Sequence, residues 1–282
     1  MITDSQTNTL YLADSLPKKF PVFCSAFENI LNENEINFRF IPRTKDIWAV
    51  DYMPIQTDIN RFVQFVYSPK YLQGKKYKKT ISDTDSICQE MYIQPLKSPI
   101  ILDGGNVVRS SRAVIMTDRI FEENINYTAK QLIKELEEYF QVDNIHIIPE
   151  QPNDITGHSD GMVRFLDDDI LLVNDYKREK PSFKKSFANA LRNTGLDCIE
   201  VPYNPYSNYS YEQANGDYIN FLQMENIIFL PIFGQKEDDL VVKQFEEVFS
   251  GQQIATIKCN DIANEGGILN CISWNVRMEL LK

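Results

Sequence analysis

Five short polar turns carry residues able to do chemistry, spread from residue 48 to residue 271. Trp48 and Asp51 stand in DIWAVDYMP, Asp103 and Asn106 in LDGGN, and His158 and Asp160 in GHSDG. Asn215 and Asp217 stand in ANGDYINF, and Gly266, Gly267, Asn270 and Cys271 in EGGILNC. The set is one thiol, one imidazole and several carboxylates. A thiolate attacks an electrophilic carbon while an imidazole handles the protons. A carboxylate behind the imidazole fixes its tautomer. Further carboxylates beside the nucleophile would repel the oxyanion that develops on an acyl substrate. They suit a planar cation, and a guanidinium presents its N–H donors in a fork that matches carboxylates. The set therefore points to attack on a guanidinium carbon, with no metal and no cofactor required.

Residues so far apart need a scaffold that brings them together. The chain repeats one pattern: helix, strand, polar turn, hairpin. Helical periodicity appears over Phe20–Asn34, Ser82–Met91, Asn126–Phe140, Ser182–Asn193 and Leu240–Phe249. Strands follow at Asn37–Ile41, Pro99–Leu102, Ile145–Pro149, Cys198–Pro202 and Ile254–Lys258. The hairpins are Tyr52–Gln56 with Arg61–Tyr67, Asn106–Arg109 with Ala113–Thr117, Met162–Leu166 with Ile170–Asn174, and Asp217–Leu222 with Ile227–Ile232. A last strand spans Ile268–Ser273. Asp51, Asp103, His158, Asp217 and Gly267 recur at near-equal spacing, which signals a repeat architecture. The expected fold is α/β, a five-fold pseudosymmetric α/β propeller built from ββαβ units and forming a single domain over residues 1–282. In such a ring the turn before each hairpin faces the central axis, where its polar residues converge.

The stretches WAVDYMP, LDGGNVV, GHSDGMVRF, NGDYINF and GGILNCI resemble, in this order, the signatures of the agmatine deiminase and bacterial-type peptidylarginine deiminase family, part of the guanidine-modifying superfamily. The resemblance runs from about Trp48 to the C-terminus and implies the five-bladed pentein fold. It implies Cys271 as nucleophile, His158 as general acid/base and Asp103 as the support of the histidine. Asp51 and Asp160 would grip the guanidinium. From their places on the converging turns, and not from the resemblance, Trp48, Asn106 and Asp217 are added as substrate-site candidates. The pattern departs from agmatine deiminases in carrying Asp103 where those usually have Glu. It also has Asn270 before the cysteine in place of a longer glycine run and His. The expected reaction is hydrolysis of agmatine to N-carbamoylputrescine and ammonia through an amidino-cysteine, as in putrescine biosynthesis. A protein-arginine deiminase or an amidinotransferase is the alternative, and a non-catalytic binding protein of the same fold a weaker one.

Composition narrows the partners. The chain has 282 residues, 43% hydrophobic and 12% aromatic, too apolar for an intrinsically disordered protein. Its 40 acidic against 29 basic residues give a net charge of −11. That excludes the basic footprint of a nucleic-acid binder and favours a small cationic guanidine ligand. The N-terminus has no secretory pattern and no apolar run reaches a membrane span, so a cytoplasmic protein is expected. A homo-oligomer is compatible with the sequence. Cys24, Cys88, Cys198 and Cys259 read as core or incidental, and His146 as structural. Asp167–Asp169 reads as a hairpin turn, Arg164 as lying along its strand, and GKKYKK at 74–79 as a solvated loop. Asp217 could instead cap a turn, and Trp48 and Trp274 either line the pocket or pack.

Overall fold

The periodic segments become helices whose buried faces are visible in the sequence. In Ala129–Phe140 the buried residues Leu132, Leu136 and Phe140 fall one turn apart along one stripe. Thr128 starts this helix by accepting a hydrogen bond from the Gln131 amide, and the Gln131 side-chain oxygen accepts one in turn from the Thr128 amide. Such a cap contributes about 1 kcal/mol. Pro181 opens Pro181–Thr194, and Gly195, with φ of 75°, closes it. Ile227–Ile232 is almost wholly buried and reads as an unbroken apolar run because both of its faces are covered.

The computed structural model describes residues 1–210 and 212–279. Its strands are β1 (Thr9–Ala13), β2 (Asn37–Ile41), β3 (Ile55–Asp58), β4 (Arg61–Val66), β5 (Leu96–Ile101), β6 (Val108–Arg109), β7 (Ala113–Thr117), β8 (Asn144–Ile148), β9 (Val163–Phe165), β10 (Ile170–Asn174), β11 (Asp197–Val201), β12 (Leu222–Met224), β13 (Ile227–Ile232), β14 (Gln253–Lys258) and β15 (Ser273–Val276). They form five three-stranded sheets: β3-β4-β5, β6-β7-β8, β9-β10-β11, β12-β13-β14 and β15-β1-β2. Each has an antiparallel pair, an outer helix, and a third strand parallel to the second. The outer helices are Pro21–Glu33, Thr84–Glu90, Ala129–Phe140, Pro181–Thr194 and Asp238–Val248. This is the five-fold α/β propeller expected from the repeat.

Two expectations need correction. First, the hairpins begin later than the apolar pattern indicates. Ala49–Tyr52 is a short helix, Gly104–Asn106 a 3-10 turn, and the strands start only at Ile55, Val108, Leu222 and Ser273. The misleading residues are buried turns. Tyr218, Ile219, Phe221, Ile268, Leu269 and Ile272 are all 0% exposed. They are apolar because the centre of the ring is buried, not because they extend. Second, β1 was not expected. It is fully buried, lies between β15 and β2, and pairs Tyr11 with Trp274. The sheet that closes the ring is thus made from both ends of the chain.

Candidate active site

The turn before each hairpin reaches the same place. Asp51 follows Trp48 in the short helix Ala49–Tyr52, and its Oδ1 accepts a hydrogen bond from the Gly105 amide at 3.0 Å. The Gly105 carbonyl accepts from the Asp160 amide at 3.1 Å. Asn270 Nδ2 donates to Asp160 Oδ2 at 2.7 Å, and the Asn270 amide donates to the Asn220 carbonyl at 3.2 Å. Asn220 Oδ1 accepts from the Cys271 amide at 3.3 Å, and the Val50 amide donates to the Cys271 carbonyl at 3.3 Å. Turns from all five sheets are therefore tied directly to one another. Two glycines make this density possible. A Cβ on Gly105 would stand 2.4 Å from His158 Nδ1 and 2.7 Å from Asp51 Oδ1. A Cβ on Gly267 would stand 2.5 Å from the Trp48 ring.

His158 lies between carboxylates, its Nε2 at 3.1 Å from Asp103 Oδ2 and its Nδ1 at 3.6 Å from Asp51 Oδ1. Cys271 Sγ is 3.8 Å from Asp160 Oδ2. Burial works against charge on the imidazole, but Asp51, Asp103 and Asp160 outweigh it and hold its pKa up at about 10. Burial raises Asp51 to about 8, with His158 pulling the other way and Asp103 and Asp160 adding to the rise. Asp160 is raised by burial, and Asp217 well above the carboxylate range. The Cys271 thiol is pushed well up by burial and then by Asp160 and Asp51.

Asp51, His158, Asp160, Asp217, Trp48 and Cys271 all face one cleft of about 1250 Å³. Asp103 stands behind His158. Asn106 is placed otherwise: its Oδ1 accepts from the Thr117 amide at 2.8 Å, so it braces the turn onto β7 and does not line the cleft. Trp274 packs on Tyr11 and Phe62 and donates to the Pro54 carbonyl, so of the two tryptophans Trp48 alone meets the cleft. Asp217 does both things considered for it, accepting from the Ile219 amide at 3.1 Å and facing the cleft. Asp167 closes its turn, while Asp168 and Asp169 turn to Ser111 and Arg112. The segment 74–79 is exposed, with Lys76 and Tyr77 at the cleft rim. Cys24, Cys88 and Cys259 are buried and Cys198 is exposed. Sequence reasoning placed Asn270 on a converging turn without giving it a role, and missed Asn220 and Tyr71 as site residues. Amides and a loop tyrosine carry no distinctive spacing; the one available signal was the identity of motif neighbours.

A few residues along the first hairpin strands lies a second polar cluster. Asp4, from the N-terminal 3-10 turn Asp4–Gln6, meets Arg109 of β6 at 2.8 Å and Arg164 of β9 at 2.6 Å. Asn275 of β15 also contacts it, at 3.4 Å. Arg164 is thus turned into a buried ion pair, not simply laid along its strand, and its guanidinium sits 4.8 Å from the Phe221 ring centre. Burial opposes the charge of Asp4, but the two arginines hold its carboxyl below the usual range. Among the described residues, no helix is long and apolar enough to cross a membrane.

A family model for Porphyromonas-type peptidyl-arginine deiminase matches residues 3–276. A provisionally named agmatine deiminase of Mycoplasma mycoides subsp. mycoides is 24% identical over 88% of this chain and 79% of its own length. A second, from Mycoplasma capricolum subsp. capricolum, is 23% identical over 66% of this chain, and the match spans only 60% of that relative. The solved structure of a C. jejuni agmatine deiminase superposes with a TM-score of 0.82 at 19% identity, covering 100% of this chain and 96% of that one. The chain belongs to the Porphyromonas-type peptidyl-arginine deiminase family, enzymes that act on the carbon–nitrogen bonds of amidines.

Proposed function

We propose that the chain, acting as one guanidine-modifying domain, is a deiminase that hydrolyses the guanidinium of a small cationic substrate, agmatine first. The observation that carries this reading is the grouping of Asp51, Asp160 and Asp217 around Cys271 with no arginine or lysine ion-paired to them among the described residues. Carboxylates gathered this way in a buried cleft are costly unless a cation joins them. The deiminases named among its relatives and structural neighbours support the same chemistry.

The proposed cycle starts with the guanidinium held between Asp51 and Asp160. Its charge opposes the two carboxylates that keep the Cys271 proton in place, so binding favours loss of that proton. The thiolate adds to the guanidinium carbon. His158, charged at neutral pH, gives its proton to one nitrogen, the carbon–nitrogen bond breaks, and ammonia leaves. An amidino-cysteine remains. Neutral His158 then takes a proton from water as its oxygen adds to the same carbon. The carbon–sulfur bond breaks, the thiolate is restored, the new hydroxyl gives its remaining proton to solvent, where the released ammonia becomes ammonium, and a ureido product departs. Asp103 keeps the imidazole oriented throughout.

One observation favours a second reading. A cleft of about 1250 Å³ exceeds the roughly 300–1,000 Å³ usual for small-molecule sites. Exposed Ile155, Tyr77 and Tyr209 stand on its rim. Both features suit an arginine side chain presented by a polypeptide. A ureido colour assay over agmatine, free arginine and a blocked arginine peptide tests the two. Highest kcat/KM on agmatine is expected; highest activity on the peptide replaces the first reading with the second, and no turnover of any of them overturns both.

A further inference from the structure

The connection after β4 departs from the repeat. It runs from Val66 to Thr84 before its outer helix begins, against Asn174 to Pro181 and Ile232 to Asp238 in two other sheets. The extra length carries Tyr71, Leu72, Lys76 and Tyr77 to the cleft wall. Tyr71 goes deepest. Its hydroxyl donates to Asp103 Oδ2 at 2.8 Å, the same oxygen that faces His158 Nε2 at 3.1 Å. Its ring meets the imidazole edge-on, with centroids 6.2 Å apart. Asp103 Oδ1, buried as well, has no hydrogen-bond partner, so both donors draw on one oxygen.

We propose that Tyr71 is a positioning residue for the proton transfers: by sharing Asp103 Oδ2 with His158, its hydroxyl loosens the hold of Asp103 on the imidazolium proton. The proposal rests on the reading of His158 as proton carrier. A donor to a carboxylate stabilises the anion and spreads its charge, which leaves less for a second donor on the same oxygen. Among the described residues, Asp51 on the Nδ1 side and Asp160 also act to keep the imidazole charged, the Cys271 thiol lines the same cleft, and Tyr67 stands beside Tyr71. A histidine held too firmly by Asp103 could not release its proton to the departing nitrogen, so Tyr71 lets the acid be an acid.

The chain has two histidines, His146 and His158, so the imidazole signals of ¹⁵N-histidine-labelled protein can be assigned with His146→Gln. Tyr71→Phe keeps the ring and removes the donor. The reference is the pH at which half of the wild-type imidazole is neutral, found by titration and expected near 10. In Tyr71→Phe the neutral share should fall to about a quarter or less, a rise of at least about half a pH unit. Turnover should show kcat lowered roughly three- to tenfold with KM within about twofold, and the alkaline limb of the profile shifted upward. If Tyr71→Phe does not fold, 3-fluorotyrosine placed at position 71 is a stronger donor and should increase the neutral share. An unchanged or increased neutral share in Tyr71→Phe, or a risen KM with unchanged kcat, overturns the proposal. Wild-type protein that turns over no guanidine compound would instead overturn the proposed function, while the histidine titration would still decide the part played by Tyr71.

Discussion

Two clusters, one on the turns before the hairpins and one on the strands that follow, treat charge in opposite ways. Beside Asp4, two arginines of the protein are already in place, and the carboxyl is held below its usual range. At the cleft no arginine or lysine among the described residues is ion-paired to Asp51, Asp160 or Asp217, Arg164 acts on Asp160 only from beyond ion-pair distance, and all three carboxyls are raised. Both clusters are well buried, so burial alone does not separate them. The difference is the guanidinium: one cluster contains its own, and the other has room for one to arrive. The fold thus displays, a few residues from the cleft, the kind of carboxylate–guanidinium pairing proposed for its substrate.

The most severe way to break the contrast is Cys271→Ala. It should lower kcat by roughly four orders of magnitude or more while leaving the carboxylates able to bind a guanidine ligand. Calorimetry and steady-state turnover check the two halves; near-wild-type turnover would remove Cys271 from its place. Next, Asp51→Asn and Asp160→Asn each take away a charge-assisted contact worth about 1.5–3 kcal/mol. Each should raise KM and lower kcat, reducing kcat/KM by roughly ten- to 150-fold. Either variant keeping wild-type kcat/KM would contradict the clamp.

Titration sharpens the comparison. Burial holds the Asp51 carboxyl up, to about 8, and a guanidinium needs it ionised. Ligand affinity in Cys271→Ala should therefore rise with pH up to about 8 and then level off, with proton release on binding at pH 7. Affinity that is flat from pH 6 to 9 would speak against it. For Asp4 the sign reverses. Its carboxyl is lowered, so its contribution to stability is present above the usual carboxylate range and is lost as pH falls through its own lower value. Asp4→Asn strands two guanidinium groups and should cost about 2–4 kcal/mol, lowering the melting temperature by roughly 5–15 °C. Its effect on kcat should be the smallest of the series, under about threefold, since the cleft residues keep their partners. Thermal scans beside rate measurements decide whether the two clusters are separable.

Much of the site could be read before the fold was known, because a thiol, an imidazole and carboxylates in glycine-flanked turns have few bland explanations. Cys271, His158, Asp51 and Asp160 do meet at one cleft, with Asp103 behind His158. Asn106 was misplaced because an asparagine in a turn serves equally to brace backbone, and here it holds Thr117. Tyr71 was invisible for the opposite reason: its importance comes from a long connection whose path no local pattern dictates. The outer helices followed their periodicity closely, since one face of each meets the core and the other meets water. The strand starts did not. At the centre of the ring even turns are buried, so Tyr218–Phe221 and Ile268–Ile272 have lost the polar signature that usually marks a turn.

The sheet built from β15, β1 and β2 has a consequence in time. Cys271 stands two residues before β15, whose one neighbour in the sheet is β1, near the other end of the chain. Synthesis delivers β1 before the other described strands and β15 after them, and domains generally fold as units during synthesis. Four sheets can form as their strands emerge, but the ring stays open until Val276 is free to pair with Thr9. The turn that carries Cys271 is fixed against the other turns by this closing sheet, so a chain that lacks β15 should be inert toward guanidine substrates.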